Sequence, residues 1–198
     1  MLNIEDDTKM ANNPLNLPLP SYQNWLTALR HKNADEAVRI FERSTELERN
    51  KLLNGCFIYA ANQPRSNATS QLEWINGCCE LYALFVATMQ GSEETVTYLI
   101  RKGVNIHMKD KYGNNCIHSM IYASFLEPAR EKESVQICRQ LCNILPQSDL
   151  RKLLLSENTE QKRPLELAIH LGLFDLSNEI FTTRGIYLVK EEDHVLYK

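Results

Sequence analysis

Four soft side chains, Cys116, His118, Cys138 and Cys142, form the one set in this chain that could hold a metal ion. Cys138 and Cys142 stand at i and i+4, so on a helix they face one way, as zinc ligands can. No C-x2-C or H-x3–5-H spacing accompanies them. Val135, Cys138, Leu141, Cys142 and Leu145 read instead as the apolar stripe of one amphipathic helix, where a thiol serves as a small hydrophobe. No metal and no cofactor is expected. Nucleophilic chemistry has equally little footing. The patterns GxSxG, HExxH, GxxxxGK[ST] and GxGxxG do not occur. His118 beside Ser119 has no third group suggested to orient it. No catalytic residue is assigned, and the chain is not expected to be an enzyme.

Charge points away from nucleic acid. The 198 residues carry a formal net charge of -3, so no basic excess is present to neutralise a row of phosphates. Lys102, Lys109 and Lys111 could attract a nucleotide phosphate or an inositol headgroup, but no backbone nest motif goes with them. Glu5, Asp6 and Asp7 stand where a secretory signal has basic residues. The longest nearly apolar stretch, Leu81 to Met89, is far shorter than the ~20 residues that cross a bilayer. A cytoplasmic chain with reduced thiols is therefore expected, in which Asn67-Ala68-Thr69 matches the glycosylation pattern by chance.

The elements that would position these groups are helices. Residues 1–20 form a loose arm, because the prolines of Pro14 to Pro20 remove donors and clash with a helix. From Tyr22, Trp25, Leu26 and Leu29, then Ala37, Val38 and Phe41, recur at spacings of three and four around the polar break His31 to Asp35. That pattern predicts two short antiparallel helices. A third helical stretch is predicted from about Glu46 to Ala61, with Leu52, Leu53, Phe57 and Ala60 on one side and Pro64 as its stop. Residues 62–72 are loop by composition.

Periodicity decides the rest. Tyr82 to Gly91, followed by Glu94, Val96, Leu99, Ile100, Gly103, Asn105 and Asp110, is similar to the ankyrin consensus TPLHLAAxxG, ExV, LL, GAD and a closing D. Asp110 to His118 then matches DxxGxTPLH, and the step from Tyr82 to Asn115 is one ankyrin period. A third copy opens at Arg163-Pro164-Leu165-Glu166-Leu167-Ala168, nearly one and a half periods beyond Asn115. Taking Glu94-x-Val96 and Glu133-x-Val135 as equivalent, six of the fifteen extra residues fall in the helix-to-helix turn and nine in or near the finger loop. Loop insertions cost little in closure entropy, so stacking survives them. His118 takes the TPLH histidine place, where a ring nitrogen serves the turn. The expected fold is all-α: an ankyrin-repeat solenoid of helix pairs with long finger loops and a short β-rich tail. Its divisions are an arm at 1–20, degenerate ankyrin-like helices at 21–75, repeats at 76–185 and an extended tail at 186–198.

Within ankyrin proteins, three runs stand out: Glu80-Leu81 through Gly91-Ser92-Glu93-Glu94-x-Val96, then Leu99-Ile100-x-x-Gly103-x-x-Ile106, then Asp110-x-x-Gly113-Asn114-x-x-Ile117-His118. Together they resemble the cytosolic ankyrin region of transient receptor potential channels of the vanilloid type, over about residues 76–185. The enlarged fourth unit with its helical Asp149 to Leu155 segment is similar to that family too. The TPLH proline is Ala83 in one copy and Cys116 in the next, and the residues before Leu72 align poorly. The resemblance implies a protein-interaction module of a calcium-permeable channel, or a short relative of one, at the cytosolic face of a membrane, with channel subunits among its protein partners. A free-standing ankyrin adaptor is the alternative.

The residues assigned to partner binding are Lys109, Lys111, Tyr112 and Asn114 at the finger tip and Tyr122 on the following helix. They stand at places of the unit not committed to stacking, on the concave side where such proteins meet partners. The tail Gly185 to Lys198 reads as two β-rich pieces around the charged turn Glu191 to Asp193. Tyr187, Val189, Val195 and Tyr197 have no obvious cover there, and exposed strands of this kind seek a partner. Disorder is the competing reading of that tail.

Overall fold

Capping chemistry marks where the helices begin. In the computed structural model, which describes residues 19–55, 57–59 and 79–183, helix α1 (Leu19–Arg30) turns into α2 (Ala34–Arg43) through Lys32 at φ 54°. Asn33 then caps α2 by accepting the Glu36 N–H. Trp25, Ala28 and Leu29 on α1 and Ala37 and Phe41 on α2 are buried, the stripe that their spacing predicts. The arm expected at 1–20 is described only at Leu19 and Pro20, which belong to α1. Helix α3 (Glu46–Asn54) opens on a capping box between Thr45 and Glu48.

That third helix is shorter than its apolar spacing suggests. It stops at Gly55, and Phe57–Tyr59 forms strand β1, paired antiparallel with β2 (Cys79–Leu81), Phe57 opposite Leu81 and Tyr59 opposite Cys79. Phe57 therefore does not continue the helical stripe of Leu52 and Leu53. Phe-Ile-Tyr is a strand-favouring run, and a pairing partner further along the chain outweighs a helical spacing met by coincidence. Apart from this short ladder the ordered elements of the described residues are helical, as expected of an all-α chain. The loop expected at 62–72 and the tail at 186–198 lie outside the described residues.

The remaining helices are α4 (Ala83–Gln90), α5 (Glu93–Arg101), α6 (Cys116–Leu126), α7 (Glu131–Ile144), α8 (Gln147–Leu155), α9 (Pro164–His170) and α10 (Phe174–Thr182). Leaving α3 and α8 aside, they pack as pairs in two layers. One layer runs α1, α4, α6, α9 and the other α2, α5, α7, α10, each helix touching the next in its layer and its own partner in the pair. A single cluster of buried side chains threads all the pairs, from Trp25 through Leu84, Ile117 and Leu141 to Ile180. No pair could hide its apolar side alone; stacking hides it against the neighbour.

Both insertions fall between stacked helices. The six-residue excess becomes a longer α6, 11 residues against 8 for α4, and a 3-10 turn at Pro128–Arg130. The Arg130 guanidinium ties that turn back to the preceding pair, donating to Met89 O at 3.0 Å and Gln90 Oε1 at 3.2 Å. The nine-residue excess houses α8, whose Leu150, Leu153 and Leu154 are buried where it meets α7 and α9.

Candidate functional site

The finger loop between α5 and α6 folds around Asp110. Its Oδ1 accepts the N–H groups of Tyr112 at 2.9 Å and Asn114 at 2.8 Å, and its Oδ2 accepts Asn114 Nδ2 at 3.1 Å. Gly113 sits at φ +73°, sending its N–H back to Asp110 O at 2.9 Å. The next loop, between α8 and α9, repeats the device at the same offset that separates Arg163 from Asn115. Asn158 takes the place of Asp110, and Gln161, at φ 58°, that of Gly113. Asn158 Oδ1 accepts the N–H groups of Glu160 at 3.0 Å and Lys162 at 3.1 Å.

The two loops are joined to each other. Asn158 Nδ2 donates to Asn114 Oδ1 at 3.1 Å, and the Thr159 N–H donates to Tyr112 O at 2.9 Å. The Tyr122 hydroxyl also bonds the Asn158 side chain, and burial, with the charges of Glu160 and Asp110, pushes that phenol up to about 12. Below them Asn115 caps α6, its Oδ1 accepting the N–H groups of Ile117 and His118 while Nδ2 donates to Leu153 O at 2.7 Å. His118 completes the lattice: Nε2–H donates to Lys162 O at 3.0 Å, leaving Nδ1 to accept the Asn115 N–H at 3.3 Å. Burial pushes this imidazole down to about 4, helped by the Lys109 charge and opposed by the Lys162 carbonyl and by Asp110.

The five residues assigned to partner binding consequently have different surroundings. Asn114, 2% exposed, and Tyr122, 7% exposed, are interior groups of the lattice, which corrects the exposure expected of them. A polar residue at a finger tip is read as solvated unless its partner is known, and here the partner, Asn158, is far away in sequence. Tyr112 is half-buried against the core. Lys109 and Lys111 remain exposed, the first donating to Glu157 O at 3.1 Å and the second lying 5.0 Å over the Tyr112 ring. Asn115 and Asn158 carry as much of the lattice as any residue that the sequence singled out. The offset from Asn115 to Arg163, which also equates Asn158 with Asp110, is the signal that could have found Asn158.

Asn114→Ala is expected to lower unfolding stability by about 1–3 kcal/mol, since it strands buried partners on Asp110 and Asn158. Lys109→Ala and Lys111→Ala, at exposed positions, should each stay within ~0.5 kcal/mol of the parent. Urea unfolding midpoints distinguish these outcomes. Equal losses at all three positions would mean that the lattice contributes no more than the surface lysines.

The thiols occupy apolar ground. Cys116 and Cys138 are buried and Cys142 is half-buried. Burial pushes the Cys116 thiol up to about 12, and the hydrogen bond with Cys142, then burial, raises Cys138 well above the ordinary thiol range. Metal ligation uses the thiolate, so these environments oppose it. Among the described residues no three His, Cys, Asp or Glu side chains are grouped to hold a metal ion. No helix of the described residues is long and apolar enough to cross a membrane.

A stack of helix pairs with cross-linked loops between them is thus the class of structure defined here. No family model matches the chain, and no curated protein does. Its fold is similar to that of a chain in the crystal structure of the yeast ribosomal protein Rps3 in complex with its chaperone Yar1. The TM-score is 0.51 at 15% identity, covering 82% of this chain and 91% of that one. At that identity the likeness concerns the fold alone.

Proposed function

We propose that this chain is an ankyrin-repeat module that binds another protein along its finger tips. One observation carries the reading: the helix pairs stack in two layers at the spacing of the ankyrin-like motifs, with inter-loop bonds absorbing the buried polar groups. Of the residues assigned to partner binding, Lys109 and Lys111 are exposed at the finger between α5 and α6, just ahead of the half-buried Tyr112 in sequence. Two cations beside an aromatic suit an acidic partner surface. The chain of similar fold comes from a complex of a ribosomal protein with its chaperone, which supports such a reading.

The narrower reading, a cytosolic portion or truncated relative of a vanilloid-type channel, rests on the runs between Glu80 and His118 alone. A free-standing adaptor is the second reading, favoured by the likeness in fold to a chain of that ribosomal protein and chaperone complex. Affinity capture from cells decides between them. With the intact chain as bait, a channel subunit should be retained, and Lys109→Glu/Lys111→Glu should reduce its yield by at least ~10-fold, the loss of about 1.4 kcal/mol. Undiminished capture by the variant would show that the finger tips are not the contact. Retention of unrelated proteins without any channel would give the case to the adaptor.

A further inference from the structure

The turn between α6 and α7 sends its charged side chains to three other helix pairs. At the equivalent place in the second pair, α4 passes to α5 through Gly91 and Ser92 alone. Here the chain runs through Glu127 and the 3-10 turn Pro128–Arg130 into the first turn of α7, where Arg130, Glu131 and Glu133 are half-buried. Arg130 reaches back to α4, whose last two residues are Met89 and Gln90. A helix leaves its final carbonyls without partners of its own, and the backbone dipole favours a cation at that end. The Arg130 Nη1–H accordingly donates to Met89 O at 3.0 Å and to Gln90 Oε1 at 3.2 Å. Glu131 reaches the other way. Helix α10 opens on the buried Leu173, which has no side-chain oxygen to cap the first turn. Glu131 Oε1 accepts the Leu176 N–H of that turn at 3.1 Å, placing an anion where the dipole favours one.

Glu133 skips a pair altogether. Units of a repeat stack contact their immediate neighbours, yet Glu133 Oε1 accepts Lys32 Nζ, from the turn between α1 and α2, at 2.8 Å. The link passes over the second pair at Gly91. A Cβ built on that glycine would lie 2.6 Å from Glu133 Oε2 and 2.8 Å from Glu133 Cβ, and the latter cannot swing aside. The bare glycine is what gives the side chain room. Partly exposed on both partners, the ion pair adds little by itself. The two caps carry the connection, since each satisfies a backbone group that its own helix leaves over. All these contacts lie at the ends of the pairs away from the fingers, because α6 begins at its finger and ends at this turn.

We propose that residues 127–133 form a clamp that makes the four pairs of the described residues open together instead of one at a time. A stack held only by neighbour contacts can open locally, whereas a turn that caps helices on both sides ties their openings to its own. The row of fingers is thereby kept at one spacing. This goes beyond the finger-tip reading and does not depend on what the fingers bind. Hydrogen exchange of backbone amides, followed in the full chain at low denaturant, tests it. In the parent, the protected amides of α6 and α10 should share one opening equilibrium. In Arg130→Ala/Glu131→Ala the α10 amides should open about 10-fold more often than those of α6, the contribution of a helix cap. Circular dichroism verifies that each variant keeps its helices, and Glu131→Ala alone carries the same comparison if the double variant does not. Glu131→Gln retains an oxygen for the Leu176 N–H and should bring α6 and α10 back towards agreement. Lys132→Ala, at the exposed position between the two glutamates, should leave them in agreement. Equal exchange of α6 and α10 in the alanine variant would overturn the proposal. So would α10 opening apart from α6 in the parent, or a gap as large in Lys132→Ala.

Discussion

Gly113→Val is expected to destabilise the chain by about 2–4 kcal/mol, with a fall of several degrees in melting temperature. Two costs combine. The backbone at φ +73° lies in the left-handed region, which a β-branched side chain enters only with strain. A Cβ there would also meet Asn158 Cα at 3.2 Å and Thr159 N at 3.3 Å, main-chain atoms of the next loop that cannot swing aside. Yielding would stretch the Thr159 N–H bond to Tyr112 O and the Asn114 to Asn158 bond with it. Gly103 supplies the control. It has φ +83° but no atom within 4 Å of its added Cβ, so Gly103→Val should show the backbone cost alone, about 1–2 kcal/mol. If the two variants unfold at the same urea concentration, the close approach of the loops adds nothing.

Acid should weaken the fold through His118 well before most carboxylates are neutralised. In the unfolded chain its imidazole titrates near 6.5, and in the folded chain burial holds it at about 4. Between those values the unfolded state takes a proton that the folded state refuses. Stability from this group is therefore complete above pH ~6.5 and is lost as pH falls towards 4, by about 3 kcal/mol in all. His118→Gln keeps a donor for Lys162 O but has no titration, so it should start less stable at pH 7 and lose less on the way to lower pH. Denaturant unfolding of both proteins at neutral pH and near pH ~4.5 gives the two differences. Identical differences would mean that the imidazole is protonated in the folded state or that the ring is not enclosed.

The helix pairs at Trp25 to Phe41 and from Ala83 onward were legible because their apolar residues recur at one spacing, and the finger turn at Gly113 because its glycine matches the repeat motif. Counting between repeat landmarks put the two insertions near a helix-to-helix turn and a finger; the first is shared between a longer α6 and the 3-10 turn, and the second houses α8. The stretch after Gly55 was not legible. Phe57 and Ala60 satisfy a helical spacing as well as they satisfy a strand, and only the Cys79–Leu81 segment opposite Phe57–Tyr59 settles which is formed.

The candidate site divides along the same line. Lys109 and Lys111 were placed on the surface from sequence, and they are there. Asn114 and Tyr122 were placed with them, and they are inside. From residue types and local spacing the chain dictates a repeated helix pair, its period and its turns, because those depend on contacts between near neighbours along the backbone. Which polar groups are consumed internally depends on Asn114 meeting Asn158 and His118 meeting the Lys162 carbonyl, partners well over one repeat away in each case. Only stacking brings such groups into hydrogen-bond reach of each other, and a buried amide or imidazole is committed to the partner found there because water cannot replace it.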